Sequence, residues 1–304
     1  MAESPARALV VGEALVDVVH RGDRTDEHPG GSPANVAVGL GRLGRPVDLL
    51  TWFGSDDRGR RIAEHLRTSG VDVVPGSESA PRTSTATATL DPDGGARYDF
   101  DLTWHLPPTP VPGPAPLVVH TGSIAAVLEP GGRRVRDLVD QVRAASTVTY
   151  DPNIRPSLMP GVERTAPIVE SMVAMSDVVK VSQEDLDWLD AQPLGLARRW
   201  ARTGPALVVV THGGKGATAF CRAGELSVSA PTVRVADTVG AGDSFMAGLV
   251  DGLWEAGMLG AGRRAELHRI DLTTVREVLE RSARVAAITV SRPGADPPWL
   301  AEVD

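Results

Sequence analysis

Short apolar runs alternate with segments of helical spacing along most of this chain, and this alternation restricts the fold more than any other feature. A short apolar run bounded by polar or glycine residues is typical of a strand buried on both faces, whereas apolar residues three and four apart indicate a helix. The strand patterns lie at 8–12, 47–53, 117–120, 147–151, 177–181 and 206–211. The helical patterns lie at 36–44, 57–69, 131–145, 164–175, 183–190, 194–203, 242–257 and 273–290. The sequence therefore predicts an α/β fold, with a central, mostly parallel sheet covered by helices on both faces.

Two parts of the chain depart from this alternation and predict a second, smaller sheet. Residues 83–102 alternate in polarity around a turn at 91–95, which is typical of a β-hairpin. Parts of 13–30 also lack the alternation. We expect one domain over 1–304, with a β lid formed by 13–30 and 83–104. Because an exposed strand edge needs a partner or protection, we expect the lids of two copies to pair in a homodimer.

Two segments allow more than one interpretation or lack a clear pattern. Glu13 and Asp17 interrupt an apolar run that continues the first strand to Val19. Solvation of an edge strand explains these carboxylates, and so does acceptance of hydrogen bonds from substrate hydroxyls. The segment 259–271 is polar and basic, and we interpret it as a variable surface loop.

The bulk composition excludes several classes of protein. The 304-residue chain has a formal charge of −8, which argues against nucleic acid or an anionic membrane as its partner. Cys221 is its only cysteine, so a disulfide framework and a cysteine metal site are excluded. Met1–Arg7 has no apolar leader core, and no apolar run approaches the length of a membrane span. We therefore expect a cytoplasmic protein.

The segment Asp237–Phe245 is polar and glycine-rich, and it leads directly into the apolar pattern of a helix. Amides at a helix start have no partner within the helix, and with the helix dipole they attract a phosphate or a developing phosphoryl anion. Glycines there let the anion approach the amides. Asp243 is the exception because a carboxylate repels an anion, so it either caps the helix or takes part in the chemistry.

Two other glycine-rich segments suggest nucleotide binding. Thr211–Gly216 follows a strand, and α/β sheets bind ligands at the carboxyl ends of their strands, although a tight turn explains the segment equally well. The chain has no Walker pattern, so Lys215 is not a Walker lysine. Gly39–Gly44 matches the dinucleotide-binding pattern, but it lies in a helical pattern rather than after a strand. We therefore attribute its glycines to close helix packing and to a C-terminal helix stop at Gly44.

Gly30–Ala37 and Asp237–Phe245 resemble the two signatures of the ribokinase-like (PfkB) carbohydrate kinases, in the family's order and at a similar separation. Glu13–Asp17, Asp151–Arg155 and Arg292–Pro298 resemble the fructokinase branch. The resemblance extends over essentially the whole chain. It implies a ribokinase-like three-layer α/β/α fold with a small β-sheet lid. It also implies transfer of the γ-phosphate of ATP to a sugar hydroxyl, with fructose favoured.

The resemblance also implies a role for each matched residue. Asp243 would be the base that takes the hydroxyl proton, and the positions matched to the anion hole are Gly240, Ala241 and Gly242. The positions matched to the nucleotide site are Thr211, Gly213, Gly216, Lys180 and Ser182. The positions matched to the sugar site are Asp17, Gly31, Asn35 and Arg155.

Two cations are implied as well. Asp237 and Thr238 would hold a potassium ion together with backbone from 292–296. The family usually carries a glutamate that organises Mg²⁺ through water. This chain has Asp185 at that position, one methylene shorter, while Glu184 is a neighbouring carboxylate in a different helix phase.

Three alternatives to a fructose kinase stay open. A kinase for 2-keto-3-deoxygluconate would suit Arg155, because a guanidinium pairs well with a carboxylate. A ribose or nucleoside kinase is the second, although an aromatic content of 4% offers little for stacking on a base. A sugar-binding regulator without turnover is the third, and the intact Asp243 argues against it.

Overall fold

The computed structural model describes residues 6–21, 24–90, 96–108 and 114–304. Its strands are β1 (Ala8–Val11), β2 (Leu15–Arg21), β3 (Arg24–Gly30), β4 (Val47–Leu50), β5 (Val71–Val73), β6 (Thr85–Leu90), β7 (Ala96–Asp101), β8 (Val118–Gly122), β9 (Thr147–Asp151), β10 (Val178–Ser182), β11 (Leu207–Thr211), β12 (Ala217–Cys221) and β13 (Gly224–Val228). Its α-helices are α1 (Ser32–Arg42), α2 (Asp57–Thr68), α3 (Gly131–Val142), α4 (Val162–Met175), α5 (Gln183–Leu189), α6 (Pro193–Thr203), α7 (Ala241–Glu255), α8 (Arg264–Leu267), α9 (Leu272–Val290) and α10 (Leu300–Val303). Within the described ranges, no helix combines the length and apolarity needed to cross a membrane.

Nine strands form the main sheet, in the order β13-β12-β11-β10-β9-β8-β1-β4-β5. The strands from β5 to β11 in this order run parallel, and β12 and β13 add an antiparallel hairpin at one edge. The order reverses at β1, which lies between β4 and β8. In sheets of this type the carboxyl ends of the strands beside such a reversal border a ligand crevice.

Helices cover both faces of the main sheet, as the strand–helix alternation predicts. One face packs against α1, α2, α7 and α9, and their buried core residues include Val36, Ile62, Leu249 and Val275. The other face packs against α3 to α6, with Val139, Met172, Leu186 and Trp200 in a separate apolar cluster. The three-layer prediction is confirmed.

The helices around α7 lie unusually close to one another. A β-carbon added to Gly39 on α1 would lie 2.6 Å from the Ala247 Cβ on α7. A β-carbon added to Gly248 on α7 would lie 2.8 Å from the Ser282 Cα on α9. Of the glycines at 39–44, Gly39 therefore serves helix packing, while Gly44, with φ of 79°, lies just after the end of α1, as expected.

The smaller sheet has the order β3-β2-β6-β7. Its outer pairs are antiparallel and its central pair, β2 with β6, is parallel. The hairpin prediction for 83–102 is confirmed, while its turn at 91–95 lies outside the described residues. The prediction that 13–19 continues the first strand is wrong, because β1 ends at Val11 and β2 begins in the smaller sheet. The chain turns away at Gly12, which packs so closely on α1 that an added β-carbon would lie 2.2 Å from the Pro33 Cγ.

The segment 259–271 is not a surface loop throughout. Leu259, Leu267 and Ile270 are at most 5% exposed and belong to the core cluster with α7 and α9. Arg264 Nη2 donates to the Ser146 carbonyl oxygen at 2.9 Å. The charged residues dominate the composition of this segment, and they conceal three apolar side chains that pack inward.

Candidate active site

Asp243 is the third residue of α7, and it is only 7% exposed. Two side chains of α1 hold its carboxylate: Ser32 Oγ donates to Oδ1 at 2.6 Å and Asn35 Nδ2 donates to Oδ2 at 2.8 Å. Gly240 occupies the cap position of α7, so Asp243 does not cap the helix. A carboxylate that accepts two hydrogen bonds still has lone pairs that can take a proton. This geometry suits a general base.

The amides at the start of α7 differ in their partners. Ala241 N donates to the Thr238 carbonyl at a long 3.3 Å. The amides of Gly240, Gly242 and Asp243 have no acceptor within the described ranges. The free amides are therefore those of Asp243 and the two glycines, whereas Ala241, which is matched to the anion hole, is partly engaged. They lie at the positive end of a 15-residue helix, where an anion is stabilised.

The loop before α7 is tied to 292–296, where the sequence predicts a potassium site. Asp237 Oδ2 accepts a hydrogen bond from Gly294 N at 2.9 Å, and Thr238 is exposed. Gly240 has φ of 74°, and an added β-carbon would lie 2.6 Å from the Ala295 Cβ, so only glycine permits this approach. Carboxylate and carbonyl oxygens suit a potassium ion, so the donor set fits the expected cation.

Lys180 lies beneath the N-terminal end of α7. Its ammonium donates to Asp151 Oδ2 at 2.8 Å, and both residues are almost fully buried. A β-carbon added to Gly242 would lie 2.9 Å from Lys180 Nζ. Burial lowers the pKa of Lys180, but the charges of Asp151, Asp185 and Asp243 outweigh it and raise that pKa overall. The lysine is therefore a charged group next to the expected phosphoryl position.

Asp17 lies on β2 where the glycines before α1 make room for it. A β-carbon at Gly30 would lie 2.1 Å from Asp17 Oδ2, and one at Gly31, whose φ is 102°, would lie 2.5 Å from the Glu13 carbonyl oxygen. Burial raises the pKa of Asp17 to about 6, and the negative charge of Asp243 adds to the rise. Asp17 and Asp243 are thus close enough to interact electrostatically.

The family resemblance gives Glu13 no role, yet this residue is 6% exposed and lies among the predicted site residues. Burial raises its pKa to about 8, and the negative charge of Asp243 adds to the rise, although a hydrogen bond from Ser123 and the charge of Arg155 oppose it. Its Oε2 atom is buried and has no hydrogen-bond partner in the described parts of the chain. Neither it nor Asp17 solvates a strand edge, so that interpretation is wrong. The signal in the sequence is an acidic residue directly after Gly12, where a buried strand ends.

Two strained residues border the site. Among non-glycine residues in the described ranges, only Ser123, with φ of 53°, and Asn153, with φ of 38°, have positive φ. They follow β8 and β9, and Asn153 Nδ2 lies 3.5 Å from Asp243 Oδ1. Such strain persists at functional sites because the surroundings enforce it. Arg155 is exposed, and its Nη1 donates to Asn153 Oδ1 at 2.6 Å.

The expected nucleotide residues lie at the ends of β10 and β11. Ser182 and Thr211 are paired in register on these two strands. Gly213 and Gly216 have φ of 55° and 107°, and between them the chain makes a single tight turn closed by the bond from His212 N to the Gly216 carbonyl oxygen, 2.8 Å. Lys180 lies apart from this loop, against α7.

Asp185 is engaged in backbone contacts rather than pointing into solvent. Its Oδ1 accepts from Ile154 N at 2.9 Å, and Ser182 Oγ accepts from Asp185 N at 3.0 Å in a capping box. Glu184 is exposed. No group of three His, Cys, Asp or Glu side chains in the described ranges could hold a metal ion. The donors fit Mg²⁺ held mainly by phosphate oxygens and water, which is its usual coordination beside a nucleotide.

The family model for pfkB family carbohydrate kinases matches residues 6–302. The chain belongs to this family. It is a carbohydrate kinase, and the predicted membership and enzyme class are confirmed. As a PfkB kinase, it has its two signatures in contact through Ser32, Asn35 and Asp243.

Relatives of this PfkB kinase include a fructokinase from Rhizobium leguminosarum bv. trifolii. The two chains are 35% identical over 261 residues, which cover 81% of this chain and 79% of the relative. A fructokinase from Klebsiella pneumoniae is also 35% identical, over 257 residues, with 80% and 83% covered.

Solved structures confirm the ribokinase-like fold. The fructokinase from Xylella fastidiosa with bound ATP superposes with a TM-score of 0.83 at 24% identity, over 98% of this chain and 96% of that chain. A double mutant of the fructokinase from Vibrio cholerae O395, bound to fructose, ADP and a potassium ion, gives a TM-score of 0.76 at 26% identity, over 97% and 95% of the two chains.

Proposed function

We propose that this carbohydrate kinase transfers the γ-phosphoryl group of ATP to a hydroxyl of a free ketohexose, with fructose as the favoured sugar. The observation that carries the proposal is the Asp243 carboxylate, held by Ser32 and Asn35 beside free amides of α7. The fructokinase relatives, at up to 35% identity, support the choice of sugar.

The reaction needs one base and one anion hole. The sugar oxygen bonds to the γ-phosphorus as the bond from phosphorus to the bridging oxygen breaks, and that bonding pair leaves with ADP. The hydroxyl proton passes to Asp243. Negative charge on the transferred group faces the amides of Gly240, Gly242 and Asp243, which are fixed in advance by the helix. Such preorganised donors are worth on the order of 10²–10³ in rate each.

The carboxylates near Asp243 suit a polyhydroxyl ligand. Asp17 offers two oxygens to vicinal hydroxyls, and Gly30 leaves room for its carboxylate, because an added β-carbon there would lie 2.1 Å from Asp17 Oδ2. Arg155 would favour a ketoacid if its guanidinium were free for a carboxylate. In the structure its Nη1 donates to Asn153 Oδ1 and to the Ile154 carbonyl oxygen, which engages one corner of the guanidinium. Together with the fructokinase relatives, this contact leads us to favour a neutral sugar over 2-keto-3-deoxygluconate.

Two cations complete the proposal. Mg²⁺, held by the nucleotide's phosphates and by water, would neutralise charge during transfer, with Asp185 or Glu184 as outer contacts. A potassium ion would be held by Asp237, Thr238 and the backbone of 292–296. The structure of the Vibrio cholerae relative contains such an ion, which supports potassium here.

We also propose one domain over 1–304 in which 13–30 and 83–104 form a lid that excludes water, in a cytoplasmic protein. The smaller sheet has two edges. At the β3 edge, Arg58 and Arg61 of α2 pair with Glu27, so that edge already has neighbours. We propose the β7 edge for pairing in a homodimer. A mass measurement in solution tests this, and a fully active monomer contradicts it.

A sugar panel scored by ADP release tests the function. We expect fructose to give the highest kcat/KM, ahead of 2-keto-3-deoxygluconate, ribose and nucleosides. Omitting potassium at constant ionic strength and magnesium should lower the rate. If no sugar releases ADP while sugars still bind, the protein is a sugar-binding regulator and the proposal is wrong.

A further inference from the structure

The ion pair between Lys180 and Asp151 has an unusual position. The two side chains are 4% and 0% exposed, and their charged atoms are 2.8 Å apart. The pair lies directly under α7, with Lys180 Nζ only 2.9 Å from where a β-carbon of Gly242 would be. A cation has thus been placed at the positive end of a helix.

A purely structural role explains this position poorly. The start of a helix repels a cation and attracts an anion. Burying an ion pair also removes both charges from water, and an apolar pair of similar size is often as stable or more so. Furthermore, Asp151 Oδ1 is buried without a hydrogen-bond partner in the described parts of the chain, so the pair is incompletely satisfied. An additional anion beside Gly242 would make this arrangement favourable.

We propose that Lys180 is a catalytic residue, whose ammonium donates to a non-bridging oxygen of the phosphoryl group during transfer. This rests on the proposed function and adds a cation to its anion hole. Asp151 holds the ammonium in this structure and keeps it aimed at α7. Lys180 keeps all its protons throughout, since the hydroxyl proton goes to Asp243 and the bonding pair leaves with ADP. The role differs from nucleotide binding because the contact strengthens only as charge moves onto the transferred group.

The test compares Lys180→Met with wild type, using the sugar that gives the highest rate of ADP release. We expect kcat to fall on the order of 10²–10³-fold, while KM for ATP stays close to wild type. Calorimetry with ADP alone should give an unchanged affinity. With ADP, aluminium fluoride and the sugar, which mimic the transferred group, affinity should fall by a factor similar to the loss in kcat. Equal effects on both ligand sets, or none on either, would overturn the proposal.

Arg264→Met is the matched control. Arg264 also forms an ion pair with a buried aspartate, Asp177, but at the opposite ends of the strands. Arg264→Met should lower the melting temperature without changing the ratio between the affinity for ADP alone and the affinity for ADP with aluminium fluoride and the sugar. If wild type releases no ADP with any sugar, the proposed function fails. If wild type is active and Lys180→Met is equally active, only the role of Lys180 fails.

A double variant keeps the test valid if Lys180→Met folds poorly. Combining Lys180→Met with Asp151→Asn removes both charges, so no carboxylate is left buried and unpaired. If Lys180 merely neutralises Asp151, the double variant recovers the activity that Lys180→Met lost. We expect it to recover stability but not kcat, and recovery of kcat would overturn the proposal.

Discussion

Replacing Asp243 with asparagine tests the proposed base directly. An amide cannot take the hydroxyl proton, so turnover should fall by roughly 10²–10⁴-fold, the usual contribution of a positioned base. This corresponds to about 3–5 kcal/mol in the activation barrier. Nucleotide affinity should change little, because the amides of α7 are unaffected.

The structure predicts that Asp243→Asn folds. The Asn35 Nδ2 atom can only donate, so the amide oxygen of the new asparagine at 243 must face it. The new amide nitrogen then faces Ser32 Oγ, whose hydroxyl can rotate and accept. Both hydrogen bonds survive but lose charge assistance, which should cost about 1–2 kcal/mol of stability. Loss of fold would therefore not explain the loss of turnover.

Asp251→Asn, on the same helix, is the control. Asp251 is fully buried and pairs with Arg45 and Arg281. Breaking such a pair costs roughly 3–5 kcal/mol of stability, but the folded fraction should keep its kcat. ADP release at saturating sugar, together with melting curves, measures both variants. A turnover of Asp243→Asn within tenfold of wild type would refute the assignment of the base.

Three further predictions follow from single residues. Burial raises the pKa of Glu13 from 4.5 to about 8, so wild type loses stability as pH rises from 4.5 to 8. The melting temperature of Glu13→Gln, relative to that of wild type, should therefore rise over this pH range. A difference in melting temperature that does not change with pH contradicts this. Gly240→Ala must place a side chain at φ of 74° against Ala295, at a backbone cost of about 1–2 kcal/mol. The rate of this variant should depend less on potassium than that of wild type. An unchanged potassium dependence argues against a role of this loop in holding the potassium ion. Arg155→Ala should keep the preference for fructose over 2-keto-3-deoxygluconate in kcat/KM. If wild type instead prefers the ketoacid and Arg155→Ala abolishes that preference, the assignment of a neutral sugar is wrong.

The sequence predicts the main architecture well because local patterns determine it. Buried parallel strands are nearly continuous apolar runs, and the prediction of 147–151 coincides with β9. The break between β1 and β2 could not be predicted, since Ala14 to Val19 is as suited to a strand as β1 itself. Which sheet a strand joins depends on tertiary contacts such as that of Gly12 with Pro33. The hydrophobic periodicity of the sequence does not reveal such contacts.

A site residue could be predicted where its type and local sequence allow few roles. It could not be predicted where its role depends on contacts with distant parts of the chain. An aspartate among glycines at a helix start has few explanations, so Asp243 stands out. Lys180 sits in an apolar strand, and nothing local shows that its ammonium contacts Asp151 and lies under Gly242. Similarly, Asp185 is one methylene shorter than the family's glutamate, and only the structure shows that its carboxylate binds Ile154 N.

The contact between α1 and α7 explains why the two signatures belong together although about 200 residues separate them. Ser32 and Asn35 at the start of α1 orient Asp243, and one helical turn further on Gly39 lets α7 approach at Ala247. A larger side chain at Gly39 would push α7 away, and both hydrogen bonds to the carboxylate would lengthen together. Gly39 therefore influences the position of the proposed base, as Ser32 and Asn35 do. Packing between two helices, rather than a single loop, sets the position of the carboxylate.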